Sequence, residues 1–178
     1  MPTKQSVGVI FLVELDVISV ILRRRGPWNW RERKPESWPG AYQVTCHGRI
    51  ELGESPPQAA CREMVEELGF EPAIAQKIVE RMRLISHIVY GGLEEVFTYV
   101  VLVSPGLISK RQEHLWYSLS PLPLTHVSKL RPLETKPELK YTLQPEDEFR
   151  MFGDEIESIG KITPEVITEK LTMVEPGL

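Results

Sequence analysis

The sequence predicts an α/β chain of the α+β kind, a mixed sheet flanked by helices. Three observations carry that expectation. β-branched runs fill the first half. One well-capped helix interrupts them after residue 55. Short helical segments follow late in the chain. At 178 residues the chain is long enough to bury a core without disulfides or a structural metal. Residues 1–130 are expected to form the main domain. Residues 131–178 are expected to form a helical extension that packs on it or on a partner subunit.

The elements follow in order. "SVGVIFLVEL" and "VISVILRRR", separated by acidic residues, read as a strand pair. "GPWNWRERKPESWPG" carries three tryptophans and three prolines, and reads as a long ordered loop. "AYQVTCHGRI" reads as a strand ending near Gly48. Ser55 before Pro56 and Pro57 marks a helix start, and the helix runs through "QAACREMVEEL" to a stop at Gly69. "IVERMRLISHIVYG" and "EEVFTYVVLV" read as long strands around Gly91 and Gly92, and "HLWYSL" as a short one. "EFRMFGDEIESIGK" and "TPEVITEKLTMV" read as helices, the second capped by Thr163 and Pro164.

A net charge of −4 argues against general nucleic-acid binding, which needs a basic footprint, but leaves room for a small phosphorylated ligand. Two cysteines imply no disulfide framework and fit a reducing cytoplasm. No apolar run approaches a membrane span, and the apolar start is broken by Glu14 and Asp16.

The chemistry gathers at residues 48–70, "GRIELGESPPQAACREMVEELGF". On a helix, Glu63, Glu66 and Glu67 share one face, where like charges at these spacings repel. A cation among them reverses the sign, and hard divalent ions such as Mg²⁺ take oxygen ligands together with substrate phosphates. Gly48 and Gly53 just ahead permit close backbone approach. The alternative is a solvated acidic helix face.

Gly48, five residues, Glu54, seven residues, then "REMVEELGF" resembles the Nudix box at every defined position. The resemblance implies a Nudix-type αβα sandwich with a mixed β-sheet. It also implies hydrolysis of a diphosphate in a nucleoside diphosphate linked to another moiety, or a similar organic diphosphate, with Mg²⁺ or Mn²⁺. Carried over by residue, it implies Glu63, Glu66 and Glu67 as metal ligands, with the backbone at Gly48 adding a carbonyl. It implies Arg62 as the residue that orients them through Glu54. The general base is then one of Glu66 and Glu67 or a later loop glutamate, for which Glu113 is the candidate. One departure is "HGR" where a glycine pair is usual.

For the rest of the substrate, the locally basic loop carries Arg23, Arg24, Arg25, Arg31, Arg33 and Lys34, of which Arg23, Arg25 and Lys34 are the phosphate candidates. Trp28, Trp30 and Trp38 offer stacking, with Trp38 and Tyr42 (the aromatic just before Gln43) as the candidates. The alternative is tryptophans anchoring the loop and arginines in solvent. "KPESWPGAYQVTCHGRIELGES" also resembles isopentenyl-diphosphate isomerases and the Nudix hydrolases most like them. In that match the isomerase cysteine falls at His47, with Cys46 one residue off and on the opposite strand face. A third reading is a non-catalytic nucleotide-binding module. The expected partner is a small diphosphate substrate, with no nucleic acid, no membrane and a possible homodimer. Tyr90 lies in a region that the resemblance associates with base contacts.

Overall fold

The computed structural model describes residues 3–111 and 117–177. In chain order the elements are β1 (Lys4–Glu14), β2 (Ile18–Arg25), β3 (Trp28–Asn29), β4 (Lys34–Pro35), β5 (Tyr42–Gln43), β6 (Cys46–Arg49), α1 (Pro56–Leu68) and α2 (Pro72–Arg81). There follow β7 (Arg83–Tyr90), β8 (Glu94–Val103), α3 (Pro105–Ile108), β9 (Tyr117–Pro123), β10 (Arg131–Pro132), β11 (Arg150–Met151), α4 (Gly153–Gly160) and α5 (Pro164–Lys170).

β1 organises a mixed sheet. It runs parallel to β8 from Lys4 opposite Glu94 to Val13 opposite Val103. It pairs antiparallel with β6 through Ser6–Val9 and with β2 only through Leu12–Glu14. β2 pairs further with β5 and β9, and β7 with β8. β1 and β2 therefore diverge, and the chain between β5 and β6 fills the split. Thr45 bridges it, its hydroxyl accepting from Phe11 N–H at 3.0 Å and donating to the Ile21 carbonyl at 2.6 Å. Buried main-chain groups in a splayed sheet need such partners.

The unbroken apolar run in β1 follows from burial on both faces. Val7, Val9, Phe11 and Val13 face α1 and α2, with Met64, Leu68 and Ile78. Ile10 and Leu12 face the other way, with Leu22, Val44, Met151, Ile159 and Ile162. Helices thus cover both sides of a mixed sheet, the sandwich that the sequence implied.

Several boundaries differ from the sequence reading. Residues 72–81 form α2, which takes in residues 78–81, expected as the start of a strand. Pro72 sits in its first turn, and Ala75 and Ile78 pack into the core at helical spacing. The strand expected at residues 41–50 is two short pieces, because it must cross from β2 to β1. Of the first tail helix only Gly153–Gly160 is helical, since Arg150 and Met151 pair with β10 instead. The second stops at Lys170, and Val174 is tied to the end of β8 by its N–H to the Leu102 carbonyl at 2.8 Å.

Candidate active site

The site rests on α1, whose start is locked by a reciprocal cap. Ser55 Oγ accepts from Gln58 N–H at 3.2 Å, and Gln58 Oε1 accepts from Ser55 N–H at 2.8 Å. Gly69 ends it at φ 74°, a left-handed turn that glycine adopts with least strain. Ala59, Ala60, Met64 and Leu68 anchor the inner face, which leaves the glutamates on the adjoining face.

Glu54 and Arg62 form a two-pronged pair. Arg62 Nε donates to Glu54 Oε2 at 2.9 Å and Nη2 to Oε1 at 3.0 Å. Nη2 also reaches the Arg49 carbonyl at 2.8 Å, and Nη1 reaches Glu63 Oε1 at 2.8 Å and Glu66 Oε2 at 3.3 Å. Hydrogen bonds to Glu54 raise the Arg62 guanidinium above its ordinary pKa, and those from Arg62 hold the Glu54 carboxyl below the usual range. Glu63 is buried at 3% exposure, and burial, then the Glu67 charge, raises its carboxyl.

Gly48 is where that glutamate fits. A Cβ built there would overlap the Glu63 carboxyl group, so no other residue leaves room for it. The departure at "HGR" therefore still provides the one glycine that the packing requires.

Arg31 joins all three helix glutamates. Its Nη1 lies 3.4 Å from Glu63 Oε2 and 3.3 Å from Glu67 Oε1, and its Nη2 lies 2.9 Å from Glu66 Oε2. The small β3–β4 hairpin delivers it. Asn29 Oδ1 accepts from Glu32 N–H at 3.0 Å across the turn, and Arg33 adopts φ 54°. From the sheet, Arg23 donates to Glu67 Oε2 at 2.6 Å, and its guanidinium lies 5.2 Å from the Tyr117 ring centroid. Tyr117 also donates to the Glu67 main-chain carbonyl.

These groups border a cleft of about 470 Å³ lined by Arg23, Arg25, Trp30, Arg31, Gln43, Glu66, Glu67 and Tyr117, among others. Glu54, Arg62, Glu63, Glu66, Glu67 and Gly48 are brought together, and Arg23 and Arg25 reach the cleft. Lys34, Trp38 and Tyr42 do not line it. Lys34 pairs with Glu32 at 2.7 Å on the exposed hairpin. Trp38 sits edge-on to Phe152 at 5.6 Å, and its main-chain N–H donates to the Lys140 carbonyl at 2.6 Å. Tyr42 is buried, stacked on Phe149 at 5.2 Å, with its hydroxyl on the Glu146 carbonyl. Both aromatics hold the tail, a role invisible before the tail's position was known. Glu113 lies outside the described residues. Gln43 and Tyr117 were not singled out from sequence, and Arg31 was named only among the loop's basic residues, for phosphate rather than for the glutamates. Arg31 stood in a basic loop with no spacing to mark it.

Residues 2–137 match the family model for the NUDIX domain. The chain belongs to the NUDIX family. With that membership the enzyme class is Nudix pyrophosphohydrolase. No curated protein matches the chain. Among solved structures it is similar to the NUDIX domain of Shewanella oneidensis NrtR complexed with ADP ribose. They are 16% identical, with 90% of this chain and 86% of that one covered and a TM-score of 0.53. It is also similar to a MutT/nudix family protein from Enterococcus faecalis (16% identity, 94% and 63% covered, TM-score 0.52). An ADP compounds hydrolase gives 16% identity, 94% and 74% coverage and a TM-score of 0.50. At such identity these likenesses show the Nudix fold alone. No described helix is long and apolar enough to cross a membrane.

Proposed function

We propose that this Nudix protein hydrolyses a diphosphate bond in a nucleoside diphosphate linked to a further group, or in a similar organic diphosphate, using Mg²⁺ or Mn²⁺. The observation that carries the reading is the convergence of Glu63, Glu66 and Glu67 on one guanidinium. Three carboxylates drawn to a single cation form an all-oxygen donor set, which suits a hard divalent ion. Among the described residues no three His, Cys, Asp or Glu side chains already meet as ligands. Arg31 stands between them, so ion and guanidinium exclude each other from the same charge.

When bound, the ion neutralises the diphosphate and makes water a better nucleophile at neutral pH. The chain's own residues do the rest. The Glu54–Arg62 pair fixes the helix glutamates. Arg23 and Arg25 offer donors to phosphate oxygens from the cleft wall. Arg31, once displaced, carries its fork toward the same oxygens. Glu66 or Glu67 accepts the proton of the attacking water, with Glu113 the other candidate. Nucleotide-like substrates are supported by two neighbours of this fold, one complexed with ADP ribose and one an ADP compounds hydrolase.

Isomerase chemistry on this fold would need a reactive thiol. Cys46 is 1% exposed in the core, and burial pushes its thiol well above the ordinary value. A panel of organic diphosphates incubated with Mg²⁺ or Mn²⁺ tests the reading. Phosphate-containing products are expected only with the ion, and an isomerised but intact diphosphate would overturn it.

A further inference from the structure

We propose that the segment beyond the family match, at Phe152, Asp154 and Glu155, builds the pocket that selects the group carried on the diphosphate, and that this pocket takes a guanine ring. The proposal rests on the hydrolase reading only for where the phosphates lie. A second cleft of about 530 Å³ adjoins the first, and Arg25 and Gln43 line both. Its volume falls in the range of small-molecule sites.

Its walls combine flat aromatic surface with acceptors. Tyr90 at the end of β7 and Phe152 just before α4 supply the aromatics. Trp38 packs edge-on against Phe152, and the Arg25 guanidinium lies 5.6 Å from the Phe152 ring centroid. Glu94, Asp154 and Glu155 supply carboxylates. All three are held by the protein: the Ser6 hydroxyl donates to Glu94 Oε1 at 3.1 Å, and Lys4 lies 3.8 Å from the same oxygen. Tyr90 Oη donates to Asp154 Oδ2 at 3.3 Å, and Glu155 Oε1 accepts from Val44 N–H at 3.1 Å. Each keeps a second oxygen for a ligand. Lys4 and Arg25 place cations on the same cleft.

Carboxylates call for N–H donors on the ring. Uracil sets its single N–H between two carbonyls, which oppose carboxylates. Adenine and cytosine offer one amino group each. Guanine alone has a ring N–H beside an amino group, and its O6 and N7 acceptors suit the cations. Reading a base by its donor edge while an aromatic stacks on its face is a common recognition mode.

The test uses the full chain without metal and mononucleotides, which hold no diphosphate to cleave. Calorimetric titration at pH 8, above the raised Glu155 carboxyl, is expected to rank GMP first. IMP, which lacks only the 2-amino group, is expected to bind about tenfold more weakly or worse, as loss of a hydrogen bond to a charged group implies. The double change Asp154→Asn with Glu155→Gln, which keeps an acceptor for Val44, is expected to bring the GMP-to-IMP ratio near one. The GMP–IMP comparison on the unaltered protein stands even where that variant fails to fold. Equal binding of GMP and IMP, tighter AMP or UMP, or binding no better than ribose 5-phosphate overturns the proposal. Diphosphate hydrolysis without base preference sinks the pocket and leaves the hydrolase. Selective GMP binding without hydrolysis sinks the hydrolase and leaves the pocket.

Discussion

Arg31 and Gly48 make opposite uses of the same carboxylates. Arg31 is half-exposed yet contacts three glutamates, so its charge competes with any ion they hold. Arg31→Ala is expected to raise Mn²⁺ affinity several-fold in a spectroscopic titration, because the site then lacks its internal cation. Unchanged affinity would show that Arg31 and the ion do not compete. Gly48 acts through space rather than charge. Its Cα lies against the buried Glu63 carboxyl, so Gly48→Ala forces overlap in a packed region. The expected cost is about 1–3 kcal/mol in denaturant unfolding. Exposed glycines with positive φ and no close neighbour, such as Gly53, have no packing reason of this kind.

At the scale of elements, α1 is both scaffold and site, and its start is the most local feature of the molecule. Ser55→Ala removes half of the reciprocal cap and is expected to cost about 1 kcal/mol. Thermal unfolding would register this as a fall in Tm of about 2–4 °C. This helix was legible in the sequence because its signals are local: Ser55, Pro56, Gly69 and the glutamate spacing all lie within it. α2 was not, because "IVERMRLISHIV" carries β-branched residues that suit a strand. The helix is decided by Pro72 and by the packing of Ala75 and Ile78 under the sheet. The same division holds for the site. Glu54, Arg62 and the helix glutamates are near in sequence and could be read. Arg31 reaches them only through a hairpin, and Asp154 and Glu155 only through the tail's path across the sheet. Trp38 and Tyr42 looked like ligand-stacking residues for the same reason, since their aromatic partners Phe152 and Phe149 lie more than a hundred residues on.

For the whole molecule, the tail is part of the core. Met151, Ile159 and Ile162 are buried beside strand residues Ile10 and Leu22. Its charged end brings a pH dependence. Burial pushes the Glu155 carboxyl up to about 7, against which Arg25 and the Val44 N–H act in the lowering direction and Asp154 in the raising one. A carboxyl raised on folding contributes stability that is full below its unfolded value, near 4.5, and lost as pH rises through about 7. Glu155→Gln is therefore expected to raise Tm relative to the parent at pH 8, with little difference at pH 4.5. An equal effect at both pH values would contradict the assignment.

The proposed hydrolysis depends on Glu66 and Glu67 holding the divalent ion. The most direct test is steady-state product release with saturating Mg²⁺ for the parent chain, Glu66→Gln and Glu67→Gln, with folding checked by circular dichroism. A loss of about a hundredfold or more in kcat is expected for at least one folded variant, as removal of a group acting on the developing charge costs. Parent-level turnover in both would contradict it.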